Sequence, residues 1–193
     1  MNPKHPLSTI TIYRLVASFI LAISIYSCAN MSRPGGGPRD ETPPVFIKSM
    51  PVPNALNVSK QKVEIEFDEI IQVDKPSEKV IVSPPQKDMP EIRTSGRKIT
   101  VILKDSLLPN TTYTIDFSDA IIDNNERNPL YGFAYSFSTG PKIDALQVSG
   151  ILLNARDLEP ITGMLVGLHS DLEDSAFQKL PLERIASSDL SLI

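Results

Sequence analysis

The chain has 193 residues, a net charge of −4, one cysteine, two histidines and no tryptophan. One cysteine excludes an internal disulfide framework and a thiolate metal cluster. Two histidines leave little for metal or acid–base chemistry, and the acidic balance argues against a nucleic-acid partner. Seventeen prolines, about twice the usual ~5%, point to a chain rich in turns and extended segments.

Lys4, His5 and Arg14 form a positive N-terminal stretch, followed by Leu15 to Ser27 without a charge. Thirteen helical residues reach roughly 20 Å, short of the ~30 Å hydrocarbon core, which predicts a signal-peptide segment over residues 1–27 rather than a membrane span. Ile25-Tyr26-Ser27-Cys28 resembles the bacterial lipobox, with an aliphatic residue at −3, a small residue at −1 and cysteine at +1. The resemblance implies diacylglycerol on the Cys28 thiol, cleavage before it and acylation of the new amine. Two or three acyl chains anchor a protein firmly where one does so marginally. Cutting before Cys28 removes Lys4, His5 and Arg14, so the acidic remainder is not drawn to anionic headgroups and the lipid must hold it. Ala29 stands where inner-membrane lipoproteins of Gram-negative bacteria carry aspartate, which by resemblance favours the outer membrane, at its periplasmic face or at the cell surface.

Residues 28–43 read as a tether. Gly35-Gly36-Gly37 and the surrounding prolines carry no apolar period and cannot bury a core. A phosphate cradle would need a lysine-serine pair and a helix after the glycines, and neither follows.

From residue 44 to 140 the apolar period is two. Val63, Ile65 and Phe67 alternate with Glu64, Glu66 and Asp68; Ile99, Val101 and Leu103 alternate with Thr100, Ile102 and Lys104. Tyr113, Ile115 and Phe117 do the same, as do Phe133, Tyr135 and Phe137, with shorter runs at Val45–Ile47 and Val80–Val82. Turn-forming clusters at Pro51–Asn57, Ser83–Pro90, Ser95-Gly96 and Asp123–Pro129 separate them. Short alternating strands with polar outer faces predict an all-β, antiparallel sandwich, and the resemblances that follow imply that it is Ig-like. Leu107, Pro109, Thr111 and Tyr113, at every second position, resemble a tyrosine corner, in which the ring enters the core and the hydroxyl bonds the backbone just upstream.

Pro43-Pro44-Val45, Val63 to Glu69, Thr111-Thr112-Tyr113, Ile121-Ile122-Asp123 and Phe137-Ser138-Thr139-Gly140 together resemble the SbsA-type bacterial Ig-like domain. Cys28-Ala29-Asn30, Gly36-Gly37-Pro38 and Pro43-Pro44 are similar to the start of Ig-like lipoproteins from Bacteroidota. The resemblance implies a spacer, stalk, adhesive or scaffolding unit with no shared catalytic residue. Its expected partners are the membrane, through lipid on Cys28, and other envelope proteins or polysaccharide.

Residues 141–193 show alternation at Leu146–Leu152 and at Met164–Leu168. Val148-x-Gly150, Leu158-Glu159-Pro160 and Val166-Gly167-Leu168 resemble the opening of a transthyretin-like or carboxypeptidase-regulatory-like sandwich. A partial second β module, from a truncated form of a longer lipoprotein, is expected, because two or three strands with open edges are marginal alone.

Asp119, Asp123, Asn125 and Asn128 supply hard oxygen atoms that calcium would take. Arg127 and the lack of glycine break the EF-hand spacing, and Asn and Asp favour such turns for local backbone reasons, so a plain turn without metal is the expectation. Asp68-Glu69 with Asp116 or Asp119 could form a glycosidase-type carboxylate pair, but no stacking tryptophan accompanies them. A solvated sheet face is the simpler reading. His169 is expected at the surface. With no nucleophile elbow or P-loop, the chain reads as non-enzymatic and free of cofactors. The alternatives are a calcium-dependent adhesin and a carbohydrate-binding accessory domain of a longer enzyme.

Overall fold

The computed structural model describes residues 9–25, 40–146 and 148–188, and its contacts divide the chain into two units, residues 1–39 and 40–193. In the first unit, helix α1 (Thr9–Ile25) is a largely apolar segment whose one charged residue is Arg14. At 1.5 Å per residue it measures about 25 Å, and among the described residues no helix is long and apolar enough to cross a membrane.

The second unit is all-β. Its body is built from β1 (Phe46–Met50), β2 (Lys62–Phe67), β3 (Ile71–Val73), a single helical turn α2 (Pro76–Lys79), β4 (Ile81–Ser83), β5 (Glu91–Ser95), β6 (Lys98–Ile102), β7 (Thr112–Asp116), β8 (Ile121–Asp123), β9 (Pro129–Leu130) and β10 (Ala134–Ser138). Three antiparallel sheets result, in the orders β1-β2-β6-β5, β10-β7-β4 and β3-β8-β9. Period-two sequence produces this directly, since successive side chains point to opposite faces. Val63, Ile65 and Phe67 of β2 and Ile99 and Val101 of β6 are fully buried. Their neighbours form a charged outer face, where Glu66 lies 3.4 Å from Lys48, 3.5 Å from Lys98 and 3.9 Å from Arg97.

Tyr113, Ile115, Tyr135 and Phe137 of the second sheet complete the core, joined by Ile71 and Ile121 of the third. Tyr113 stacks on Phe137 with ring centroids 5.4 Å apart, and Phe133 meets Phe67 edge-on at 5.6 Å. Offset and edge arrangements of this kind add about 0.5–1.5 kcal/mol each beyond area burial. The Tyr135 hydroxyl donates to the Pro51 carbonyl at 2.8 Å, and burial pushes it up to about 12. Residues 54–58 run along the edge of β10, with Asn54 N–H donating to Ser136 O at 2.8 Å and Val58 N–H to Ser138 O at 2.9 Å. That edge is closed to further pairing.

After the body come β11 (Leu165–Leu168), a second single turn α3 (Ala176–Lys179) and β12 (Arg184–Ser187), with β11 and β12 paired as an antiparallel hairpin. The Ile185 N–H donates to Ser83 Oγ at 3.2 Å, and Arg184 pairs with Asp144 at 2.8 Å, so the hairpin sits beside β4. The strand predicted at Leu146–Leu152 is not formed. The described residues there lie outside any strand, with Leu146, Val148 and Ile151 exposed. Their alternation has no second sheet to pack against, and without burial the pattern alone does not hold a strand.

Candidate functional site

Cys28 lies outside the described residues. The other sequence-selected residues occupy three separate places on the body.

The first is the crossing between β6 and β7. The Tyr113 ring is buried, and its hydroxyl accepts the Leu108 backbone N–H at 2.8 Å. Leu107 packs against the core from a half-buried position, while Pro109 is exposed and its carbonyl accepts the Thr111 hydroxyl at 2.9 Å. Thr139, at the end of β10, closes the assembly: its hydroxyl donates to Leu108 O at 2.6 Å and accepts from Thr111 N–H at 2.9 Å. This is a structural knot, in which every polar atom named has a partner.

The second is the loop after β8. Asp123 is buried, and Oδ1 accepts backbone N–H groups of Asn125 at 2.8 Å, Glu126 at 2.7 Å and Arg127 at 3.1 Å. Oδ2 accepts that of Asn128 at 2.6 Å. Burial alone would raise the carboxyl, yet these four donors outweigh it and hold Asp123 below the usual carboxylate range. Oxygens aimed at N–H donors are not aimed at a cation. Asn128 turns its side-chain amide to the carbonyls of Asp40 and Thr42, at 3.0 and 3.3 Å. Residues 40–42 are thereby fastened to the body. Asp119 pairs elsewhere, so the four calcium candidates do not converge, and among the described residues no three acidic, histidine or cysteine side chains cluster as metal ligands.

The third is the set of carboxylates considered as a glycosidase pair. Asp68 Oδ1 accepts Val45 N–H at 2.7 Å, Asp116 Oδ1 accepts Ser118 N–H at 2.8 Å, and Asp119 Oδ2 takes Lys79 Nζ at 3.0 Å. Asp68 thus ties the start of β1 to the end of β2, Asp116 holds a turn and Asp119 an ion pair. Glu69 is different. Half-buried, it is raised first by desolvation and then by the charges of Asp123, Asp68, Asp40 and Glu126. His169, expected at the surface, is half-buried. Its place at the end of β11, followed by Ser170 and the acidic run beyond, gave no sequence sign of cover.

Lys79 was not singled out by the sequence. Its Nζ lies 3.0 Å from Asp119 and 3.2 Å from Asp74, and Asp74 also meets Arg127 at 3.3 Å. Partial burial opposes the Lys79 charge, but its two carboxylate partners outweigh this and push its pKa up. The network joins α2, the turn after β7 and the loop after β8. Two clefts flank the hairpin. One, of about 680 Å³, includes Pro84, Gln86, Leu108, Pro181 and Leu182 in its walls; the other, of about 420 Å³, lies beside Asp119 and Tyr131. Tyr131 was missed because a lone aromatic after a turn carries no periodic signal.

A family model described as bacterial Ig-like domain matches residues 40–139. No curated protein matches the chain. Among solved structures, an L,D-transpeptidase from Mycobacterium smegmatis aligns at 15% identity and TM-score 0.34, over 51% of this chain and 41% of that one. PcoC, a methionine-rich copper resistance protein from Escherichia coli, aligns at 15% identity and TM-score 0.34, over 50% of this chain and 98% of that one. The N-terminal part of the bacterial S-layer protein SbsC aligns at 16% identity and TM-score 0.35, over 70% of this chain and 30% of that one. The chain thus spans less than half the length of the transpeptidase and of the S-layer fragment.

Proposed function

The chain belongs to the bacterial Ig-like domain family, and from that premise we propose that it is a non-enzymatic, lipid-anchored module of the cell envelope. Its work is scaffolding, spacing or adhesion through sheet faces and loops. The supporting observation is the sequence Ile25-Tyr26-Ser27-Cys28 at the end of an apolar, 17-residue helical segment. A lone cysteine at that place has one use that the rest of the chain makes sense of: it holds an acidic body, which has no electrostatic attraction of its own for anionic lipid, at a membrane. Residues 28–39, rich in glycine and proline, give the folded body reach from the lipid surface. The carboxylates of the body support a mechanical rather than a catalytic reading, because Asp68, Asp116 and Asp123 each accept backbone N–H groups and Asp119 takes an ion pair. By the resemblance noted above, the compartment is the outer membrane of a bacterium of the Bacteroidota.

The test is expression of the full chain beside its Cys28→Ser variant, with membrane fractionation, globomycin treatment and mass spectrometry of the N-terminus. The expected result is a processed, acylated wild type in the membrane fraction, with uncleaved precursor accumulating under globomycin and in Cys28→Ser. Identical processing and fractionation of the two proteins would overturn the anchor.

A further inference from the structure

The cleft of about 420 Å³ between the body and the β11–β12 hairpin has a composition that the structural network around it does not use up. Its walls include Ser118, Asp119, Tyr131, Thr162, Leu165 and Ser187. Tyr131 is 69% exposed, on a body that buries Phe67, Tyr113, Phe117, Tyr135 and Phe137. Both walls are fixed. On the body side, Gly132 N–H donates to Ser118 O at 2.9 Å, and Ser118 N–H to Asp116 Oδ1 at 2.8 Å. On the hairpin side, Gly163 N–H donates to Ser188 O at 2.8 Å, and Met164 N–H to Ser188 Oγ at 3.1 Å.

Asp119 is held on one oxygen only. Oδ2 takes Lys79 Nζ at 3.0 Å, and Oδ1 takes no protein donor among the described residues. The cleft therefore offers a preset acceptor, the hydroxyls of Ser118, Thr162, Ser187 and Ser188, an exposed aromatic ring and one aliphatic side chain. Planar ring plus directed carboxylate plus hydroxyls is what a polyol with one apolar face requires. The ring covers the sugar's C–H face, and the oxygens replace the water on its hydroxyls, so that no polar group is left unpaired on binding. The volume lies within the ~300–1,000 Å³ range of small-ligand sites and suits a short stretch of a chain. Charge narrows the class. Glu78 also lines this cleft, paired with Lys75 at 3.8 Å, and Lys79 is already engaged by Asp74 and Asp119. With the one lysine of the lining already engaged by carboxylates, uronic-acid and phosphate-bearing polymers find no free cation there and are disfavoured.

We propose that this cleft binds a neutral saccharide chain, with Tyr131 as the stacking platform and Asp119 Oδ1 as the directing acceptor. The envelope reading enters only in saying where such a glycan is met; binding itself is a property of the folded body.

The test is calorimetric titration of the full chain in detergent micelles with chitohexaose, cellohexaose and a polygalacturonate hexamer. The first probe stands for acetamido-sugar wall strands and the second for neutral exopolysaccharide. Saturable binding of either neutral probe, weakened about tenfold or more by Tyr131→Ala and kept by Tyr131→Phe, is the expected result. Asp119→Ala should weaken it comparably, with the circular dichroism melt recorded for every variant to show that the fold persists. Absence of binding by both neutral probes, preference for the polygalacturonate, or binding unchanged in Tyr131→Ala overturns the proposal. Cys28→Ser should leave these titrations unchanged, so failure here and failure of the lipid anchor are separate results.

Discussion

The Tyr113 hydroxyl reaches back five residues to accept the Leu108 backbone N–H at 2.8 Å, while its ring lies flat against Phe137. One side chain thus ties the crossing between the sheets to the centre of the core. Tyr113→Phe keeps the ring stacking and removes only the acceptor, leaving the Leu108 N–H without its protein partner. A loss of about 1 kcal/mol is expected, the usual worth of one such bond. Urea denaturation checks it: the midpoint should fall with an unchanged slope.

Asp123 gathers the loop after β8 through four backbone N–H groups. Asp123→Asn retains an acceptor toward three of them but sets an amide against the Asn128 N–H. At neutral pH the cost should be about 1.5–3 kcal/mol, the range for hydrogen bonds to a charged group. The pH dependence follows from the depressed native pKa. The carboxylate contributes fully above its unfolded value of ~3.9, and that contribution is lost as pH falls through the lower native value. The stability difference between wild type and Asp123→Asn should therefore be flat from pH 7 to about pH 5 and shrink below about pH 4, as followed by thermal melts.

Glu69 acts with the opposite sign. Desolvation and four acidic neighbours raise its native pKa. Its ionisation then costs stability once pH exceeds the unfolded value of ~4.3, and costs nothing when both states are protonated. Glu69→Gln should stabilise the protein at pH 7 by up to about 0.5 kcal/mol, the scale of a favourable surface change. The gain should vanish near pH 3. Added salt should also reduce it, because part of the repulsion is screened. A melt that falls at pH 7 on this substitution would contradict the reading.

The sandwich was legible wherever one face of a strand is buried. In β2, β6, β7 and β10 the alternation of apolar and polar residues maps onto buried and less buried positions, because period two leaves one register that hides the apolar set. Strand β5, with Glu91 and Arg93 on an edge, has no such contrast, and no strand was expected between the turn clusters at Ser83–Pro90 and Ser95-Gly96. Strands β3, β8 and β9 have only two or three residues each, too short for a period. Leu146–Leu152 failed in the other direction, since its alternation has no partner sheet. At the sites, Tyr113 and Asp123 were legible because their chemistry is local, a few residues along the chain. Thr139, Lys79 and Tyr131 work across 28 residues or more or beside a separate hairpin, and nothing nearby in sequence announces that.

Gly140 and Gly96 separate two reasons for glycine in this body. At Gly140 a Cβ would lie 2.8 Å from the Asn110 backbone Cα, on a stretch held by Thr139 and by Asn57 N–H donating to Gly140 O at 3.0 Å. Backbone must move to admit even a methyl group, so Gly140→Ala should cost about 1–3 kcal/mol, the range for overpacking. Gly96, in the two-residue turn between β5 and β6, has φ +59° and open space around the missing Cβ. Gly96→Ala meets only the left-handed backbone penalty of about 1–2 kcal/mol. Asn tolerates that conformation, so Gly96→Asn should recover much of the loss, whereas Gly140→Asn should be worse than Gly140→Ala. Denaturation midpoints of the four variants distinguish the two causes: rescue by asparagine at position 96 and aggravation at position 140 are the expected pair.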